Sequence, residues 1–175
     1  PRFFGRLIAI GSFVLSGLPL LVLLLWLHYP MQVMLGIEID PFVTACIALG
    51  VCNVFGVAEI ARNALKDFPS QYEMAAKVAG LTSRETLIHV KAPILFRQLL
   101  PALLTLQVTM LQTTLFASLI SVDELFKVAQ RINTMIYKPI EIYSALGMFF
   151  LLVCLPLNGL ALILKARYTR SFSES

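Results

Sequence analysis

The chain has 175 residues, of which 58% are apolar and 14% are charged, and its formal net charge is +4. A water-soluble domain needs roughly 25% charged residues to cover its surface, so this composition argues against a soluble globular protein. The length allows one domain, residues 1–175, and the composition predicts that this domain is integral to a membrane.

Four apolar stretches are long enough to cross a bilayer, whose hydrocarbon core requires roughly 20 apolar residues as a helix. In chain order they are residues 7–27, 42–61, about 94–122, and 143–164. Pro19 should kink the first, Pro101 should break the third, and Pro156 lies inside the fourth. The predicted fold class is therefore all-α: a polytopic transmembrane helical bundle with four spans present.

The lysines and arginines lie mostly on one side of this bundle. Two precede the first span, six lie in the 62–97 connection and three follow the fourth span, out of 14 in the chain. Because positive charge accumulates on the cytoplasmic side, both chain ends and the middle connection are predicted to be cytoplasmic. Basic residues beside spans more often bind anionic lipid than nucleic acid, so the expected partner is membrane lipid and not nucleic acid.

The 62–97 connection carries its own start and stop signals. Residues 73–79 are good helix formers, and Gly80 suits the left-handed residue that follows a helix. Thr82 and Glu85 have the spacing of a capping box, and Pro93 suits the first turn of the next span. The pattern predicts a helix–glycine–helix element. An ordinary amphipathic connector and a knob held by another protein both fit this pattern.

Few polar residues fall inside the predicted spans. Glu59 would face a cavity or a partner because an ionisable group in a membrane is costly; alternatively it is a near-surface acid paired with Arg62. Five further polar residues of the spans are singled out, because they would line a substrate path or form hydrogen bonds between helices. They are Asn53, Gln107, Gln112, Thr113 and Thr114.

The sequence offers no catalytic or metal-binding pattern. It contains neither His-Glu-x-x-His nor Gly-x-Ser-x-Gly, which disfavours the alternative of an intramembrane enzyme. Cys46, Cys52 and Cys154 have no histidine at metal-ligand spacing, so they are interpreted as small buried hydrophobic residues. No cofactor is expected.

Several short motifs, in a fixed order, resemble the permease subunits of ABC importers for polar amino acids. The family signature is Glu-Ala-Ala, three residues, Gly, nine residues, then Ile-x-Leu-Pro. Residues 75–82 read Ala-Ala-Lys-Val-Ala-Gly-Leu-Thr and residues 90–93 read Val-Lys-Ala-Pro. Further similar motifs are Gly-Leu-Pro-Leu-Leu-Val at 17–22, Ala-Glu-Ile-Ala-Arg at 58–62, Leu-Pro-Ala-Leu at 100–103 and Glu-Ile-Tyr at 141–143.

This resemblance implies a type I ABC importer permease in the bacterial inner (cytoplasmic) membrane that forms the path for a polar amino acid. The implied partners are an ABC ATPase subunit, an extracytoplasmic solute-binding protein and a second permease subunit, identical or paralogous. The solute-binding protein would meet outer loops near residues 28–41 and 123–141. The chain lacks Gly-x-x-x-x-Gly-Lys-Ser/Thr, so ATP hydrolysis is assigned to the partner, and this chain is not expected to be an enzyme.

The resemblance also assigns a coupling loop at 62–93, with a coupling helix at 70–85 seated on the ATPase. Its contact residues would be Glu73, Ala75, Ala76, Lys77, Gly80, Leu81 and Arg84.

The chain departs from the family pattern in several places, among them the number of spans, the signature Glu and the third span. The family usually has five spans, so its first span is expected to be missing here. Met74 stands in place of the signature Glu, and residues 112–114 read Gln-Thr-Thr where the family has Lys-Asp-Thr. These differences leave a second interpretation open: a non-transporting or degenerate membrane scaffold related to such a permease.

Overall fold

The computed structural model describes residues 17–173, with the backbone alone described beyond Tyr168. Every regular element in this range is a helix, which confirms the predicted all-α fold. The elements are α1 (Leu20–His28), α2 (Pro30–Leu35), α3 (Pro41–Lys66), α4 (Ser70–Val78), α5 (Ser83–Glu85), a π-helical segment (Thr86–Lys91), α6 (Ala92–Thr113), a 3₁₀ helix (Thr114–Ile120), α7 (Leu125–Ile136) and α8 (Pro139–Ser173).

Three helical stretches of the described range are long and apolar enough to cross a membrane: Pro41–Lys66, Ser83–Ile120 and Pro139–Tyr168. They contain the predicted second, third and fourth spans. The predicted first span, residues 7–27, lies largely outside the described residues. Its described end does not form one kinked helix, because α1 begins directly after Pro19, whose ψ of 134° is extended.

Pro101 and Pro156 lie inside α6 and α8 without ending them, so the prediction of a break at Pro101 is wrong. A membrane helix tolerates proline where nearby groups satisfy the freed backbone. Next to Pro101, the Thr105 hydroxyl donates a hydrogen bond to the Pro101 carbonyl oxygen at 3.1 Å.

The segments predicted as outer loops, near 28–41 and 123–141, lie largely outside the three long spans and contain short helices. Helix α2 occupies the first segment and α7 the second. The start of α7 was hard to recognise because Glu124, not one of the preferred capping residues, accepts a hydrogen bond from the Lys127 amide at 3.1 Å. Asp123 adds an ion pair with Arg131 at 2.6 Å.

Helix α6 is central, since it packs against both α3 and α8. At one end of the bundle, α1, α3 and the 3₁₀ helix enclose a small core of Leu24, Ala45, Ala48, Ala117 and Ile120. Most long apolar side chains point outward instead; Leu152 on α8 is 73% exposed. Such a surface is suited to lipid or to a neighbouring subunit.

The prediction that the three cysteines are buried is confirmed only in part. Cys154 is buried and Cys52 is half-buried, but Cys46 is exposed, so the prediction of three buried cysteines is wrong for Cys46. The reason is that the inward positions of α3 near Cys46 are occupied by Ala45 and Ala48.

Gln32 in α2 fixes the connection that leads into α3. Its side chain is 8% exposed. Its Nε2 donates to the Thr44 hydroxyl at 3.2 Å, and its Oε1 accepts from the Ile39 amide at 2.9 Å. Because buried polar groups are costly without partners, these bonds hold α2 against the first turn of α3.

Gly56 marks the closest approach of α3 to α6. A Cβ added there would lie 3.1 Å from a terminal carbon of Leu106. We therefore predict that Gly56→Leu destabilises the protein by about 1–3 kcal/mol through overpacking. Gly147→Leu, where an added Cβ meets nothing within 4 Å, should leave stability unchanged or slightly raised. Thermal unfolding in detergent measures both, and equal effects of the two variants would contradict the packing account.

Candidate functional site

Helix α4 ends in a Schellman motif centred on Gly80. Gly80 has φ +77°, a left-handed conformation that glycine adopts without steric cost. Its amide donates to the Lys77 carbonyl and the Leu81 amide donates to the Ala76 carbonyl, both at 3.0 Å. The prediction that a helix ends before Gly80 is confirmed.

The next helix starts two residues later with the predicted capping box. The Thr82 amide donates to Glu85 Oε2 at 2.8 Å, and the Glu85 amide donates to Thr82 Oγ1 at 3.3 Å. Because both helix ends use local hydrogen bonds, residues 78–85 form a defined corner rather than a flexible connection.

An ion pair joins α4 to the π-helical segment that leads into α6. Lys91 Nζ lies 2.6 Å from Glu73 Oε1 and 5.8 Å from the centre of the Phe68 ring. The hydrogen bond from Lys91, and then its charge, lower the pKa of the Glu73 carboxyl below its usual value. Lys91 is the last residue of the π-helical segment, so the contact is made where the helix is locally widened.

The residues that the resemblance assigned to ATPase contact divide into two groups. Ala76 is 4% exposed and packs inside this chain, and Glu73 is engaged by Lys91. Leu81 is half-buried. Ala75, Lys77, Gly80 and Arg84 are exposed.

Two apolar side chains of α4 are also exposed, Val78 at 90% and Met74 at 58%. Exposed apolar side chains beside basic ones give the corner the character of a protein-binding surface. Sequence reasoning did not single out Val78, although its position directly before the helix end was the available signal.

A second group of polar residues meets between α3 and α6. Asn53 and Gln107 exchange two side-chain hydrogen bonds, of 3.2 and 3.1 Å. These bonds are the predicted hydrogen bonds between helices. The same residues also line a cavity of about 310 Å³, and their place in a substrate path stays a prediction. The walls of this cavity are Leu49, Gly50, Asn53, Gln107, Met110, Leu111 and Thr114.

The remaining candidates lie outside that cavity. Thr113 is half-buried, and its hydroxyl donates to the Met110 carbonyl at 2.9 Å. Gln112 is exposed. Glu59 is exposed as well, and within the described residues it forms no ion pair with Arg62 or any other base.

An adjoining cavity of about 500 Å³ brings in residues that sequence reasoning missed. It shares Leu111 and Thr114 with the first cavity and extends to Asp123 and Glu124. The other wall comes from α8 through Phe149, Phe150 and Val153. The available signal was the adjacent acid pair directly after the third span.

The two cavities together form a partly polar region at one end of α6. It provides amide groups, a hydroxyl and carboxylates beside aromatic rings. Carboxylates and aromatic faces both attract cationic groups, and amides can donate and accept hydrogen bonds. This arrangement suits reversible binding of a small polar molecule.

Comparison with known proteins identifies the family of this chain. Residues 1–170 match the family described as binding-protein-dependent transport system inner membrane component. The arginine ABC transporter permease protein ArtQ of Haemophilus influenzae is 30% identical over 176 residues, covering 97% of this chain and 79% of ArtQ. The glutamine transport system permease protein GlnP of Escherichia coli (strain K12) is 27% identical over 155 residues, covering 88% of this chain and 71% of GlnP.

A solved structure, the crystal structure of an amino acid ABC transporter with histidines, has the same fold. It superposes with a TM-score of 0.82 at 26% identity, covering 91% of this chain and 74% of that chain. This chain belongs to the family of binding-protein-dependent transport system inner membrane components.

The Glu73–Lys91 contact gives a prediction about pH. Because the native pKa of Glu73 is lowered, the contact contributes fully above the ordinary glutamate pKa, and this contribution is lost as the pH falls through the lowered native value. Lys91→Met should move the pKa of Glu73 back toward its usual value. Lys77→Met should move it less, because Lys77 is the weakest contributor.

An NMR titration of the carboxyl carbon of Glu73 measures these pKa values. Equal shifts in the two variants, or no shift in Lys91→Met, would show that Lys91 does not hold the carboxylate.

Proposed function

We propose that this chain is the permease subunit of an ABC importer for a polar amino acid in the bacterial inner membrane. Both chain ends and the 62–93 loop would be cytoplasmic, as the distribution of basic residues indicates. The observation that carries the proposal is the corner at Gly80, where Val78 is exposed and accessible to a partner. This corner lies at one end of the helical stretch Ser83–Ile120, and the two polar cavities lie at the other end. Relatives whose names specify arginine and glutamine transport support an amino acid as substrate.

Coupling to an ATPase would use the corner as a rigid contact. Val78 and Met74 provide apolar area, and Lys77 and Arg84 provide charge at its edge. A push on α4 would pass through the Glu73–Lys91 ion pair into the base of the stretch Ser83–Ile120. Rigid-body movement of that helix against its neighbours is an established way to expose a central site to alternate sides.

The substrate would bind at the other end of the same helix. Asp123 is paired with Arg131 and Glu124 caps α7, so the Asn53–Gln107 pair and Thr114 are the groups that suit a polar substrate. These residues line only one side of a passage, so a second permease subunit, identical or paralogous, would close it. A solute-binding protein would deliver the substrate near α2 and α7.

In this proposal the permease carries out no covalent chemistry. ATP hydrolysis would take place in the partner subunit, because the phosphate-binding Gly-x-x-x-x-Gly-Lys-Ser/Thr loop is not in this sequence. The permease then supplies the path and the mechanical contact.

The direct test is ATP hydrolysis by the full-length permease reconstituted in liposomes with its ATPase, with and without an amino-acid-loaded binding protein. We expect stimulation by the loaded binding protein. Gly80→Val should abolish this stimulation, because a β-branched residue at φ +77° distorts the corner. Gly80→Asn should retain most of it, because asparagine tolerates the left-handed conformation.

A different outcome would favour the scaffold interpretation. If the wild-type chain neither assembles with the ATPase nor responds to the loaded binding protein, the transporter proposal fails. If Gly80→Val and Gly80→Asn respond alike, the permease assignment stands but the corner is not the coupling contact.

A further inference from the structure

The largest of the cavities described lies at the opposite end of α6 and α8 from the acidic one. It has a volume of about 650 Å³ and lies between these two helices and Pro69, the residue before α4. Its walls are Pro69, Gln98, Pro101, Ala102, Thr105, Ala161, Leu162, Lys165 and Tyr168. None of the residues proposed to bind the substrate lines it.

Three polar side chains of this cavity can donate hydrogen bonds, and the fourth, Thr105, already donates to the Pro101 carbonyl oxygen. Lys165 and Tyr168 lie in the last part of α8, beyond its uncharged stretch, and Gln98 lies near the start of α6. Within the part of the chain whose side chains are described, none of the three has a hydrogen bond or ion pair. None of its described lining residues is a carboxylate, so an anion would meet the positive charge of Lys165 without repulsion from them.

The deeper walls are apolar. Pro101 and Ala161 are buried and Leu162 is 67% exposed on the open side. From Gln98 to Thr105, α6 rises by about 10 Å, which corresponds to the depth of a lipid headgroup, its glycerol and the first acyl carbons. A small inorganic anion would leave these apolar walls in contact with water, whereas a lipid covers them.

We propose that this cavity binds one anionic phospholipid of the cytoplasmic leaflet, with its phosphate at Lys165 and Tyr168 and its acyl chains along Ala102 and Leu162. The leaflet assignment rests on the proposed function, which places this end in the cytoplasm. Basic pockets between transmembrane helices on that side are suited to anionic headgroups. The cavity at the other end has Asp123 and Glu124 in its wall, and none of its described lining residues is a lysine or arginine that could hold the phosphate.

The bound lipid would also touch the coupling segment. Pro69 is the residue directly before α4 and forms part of the cavity wall. The headgroup therefore contacts both α8 and the start of the helix that carries Val78. Lipid composition would thus act on the position of the coupling helix.

Native mass spectrometry of the permease–ATPase complex tests the proposal by titration with phosphatidylglycerol or phosphatidylcholine. We expect one phosphatidylglycerol per permease subunit to be retained in preference to phosphatidylcholine. Lys165→Gln should weaken this retention about fivefold, as expected for one lysine near an anionic headgroup. Ala102→Trp, which fills the cavity from an exposed position, should weaken it at least as much.

Lys66→Gln is the matched control, since it removes a basic residue from the last turn of α3 that does not line the cavity. It should leave retention unchanged. Glycerol phosphate, which has the anionic group without acyl chains, should compete poorly; effective competition would point to a free-anion site and contradict the lipid assignment.

Equal retention of the two lipids, or equal effects of Lys165→Gln and Lys66→Gln, would overturn the proposal. So would cross-linking of a cysteine at Leu162 to a protein segment rather than to a photoactivatable lipid. Lipid retention requires no transport, so its failure is distinct from failure of the importer function, which the stimulated ATP hydrolysis reports.

Discussion

The ion pair between Glu73 and Lys91 fixes one point at which α4 meets the membrane helices. It joins α4 to the base of the long helix across 2.6 Å, beside the ring of Phe68. The packing of Ala76, which is 4% exposed, and the turn around Gly80 also hold α4 in place. Together these contacts give the exposed Val78 a fixed position relative to the stretch Ser83–Ile120. Every proposed role of the corner depends on that fixed relation.

The bilayer imposes the second constraint, since each backbone polar group in its core must be satisfied within the protein. Helix α6 therefore continues through Pro101 and is prolonged by a π-helical segment at one end and a 3₁₀ helix at the other. One continuous rod then connects the corner, the cavity at Lys165 and the two cavities around Thr114. The proposed coupling of movement at its base to substrate binding at its far end depends on this continuity.

Features governed by local sequence could be predicted, and those formed by distant residues could not. Residues within a few positions of one another determine the features that were predicted. These are the second, third and fourth spans, the helix end before Gly80 and the Thr82–Glu85 capping box. The Asn53–Gln107 pair joins positions 54 apart, and no single-sequence pattern shows that they meet. Helix α7 was missed because its cap is a glutamate and its apolar stripe was interpreted as part of a loop. Glu73 was expected to face a partner, but its position is determined by Lys91, a residue in another helix.

The central claim is that the corner around Gly80 is the surface on which the ATPase acts. Site-specific cross-linking tests it most directly, with a cysteine at Val78, 90% exposed, and one at Met135 on α7, 73% exposed at the opposite end of the bundle. In the assembled complex, the Val78→Cys variant should cross-link to the ATPase subunit, and the Met135→Cys variant should not. Cross-linking of both variants to the ATPase, or of Met135→Cys alone, would contradict the account.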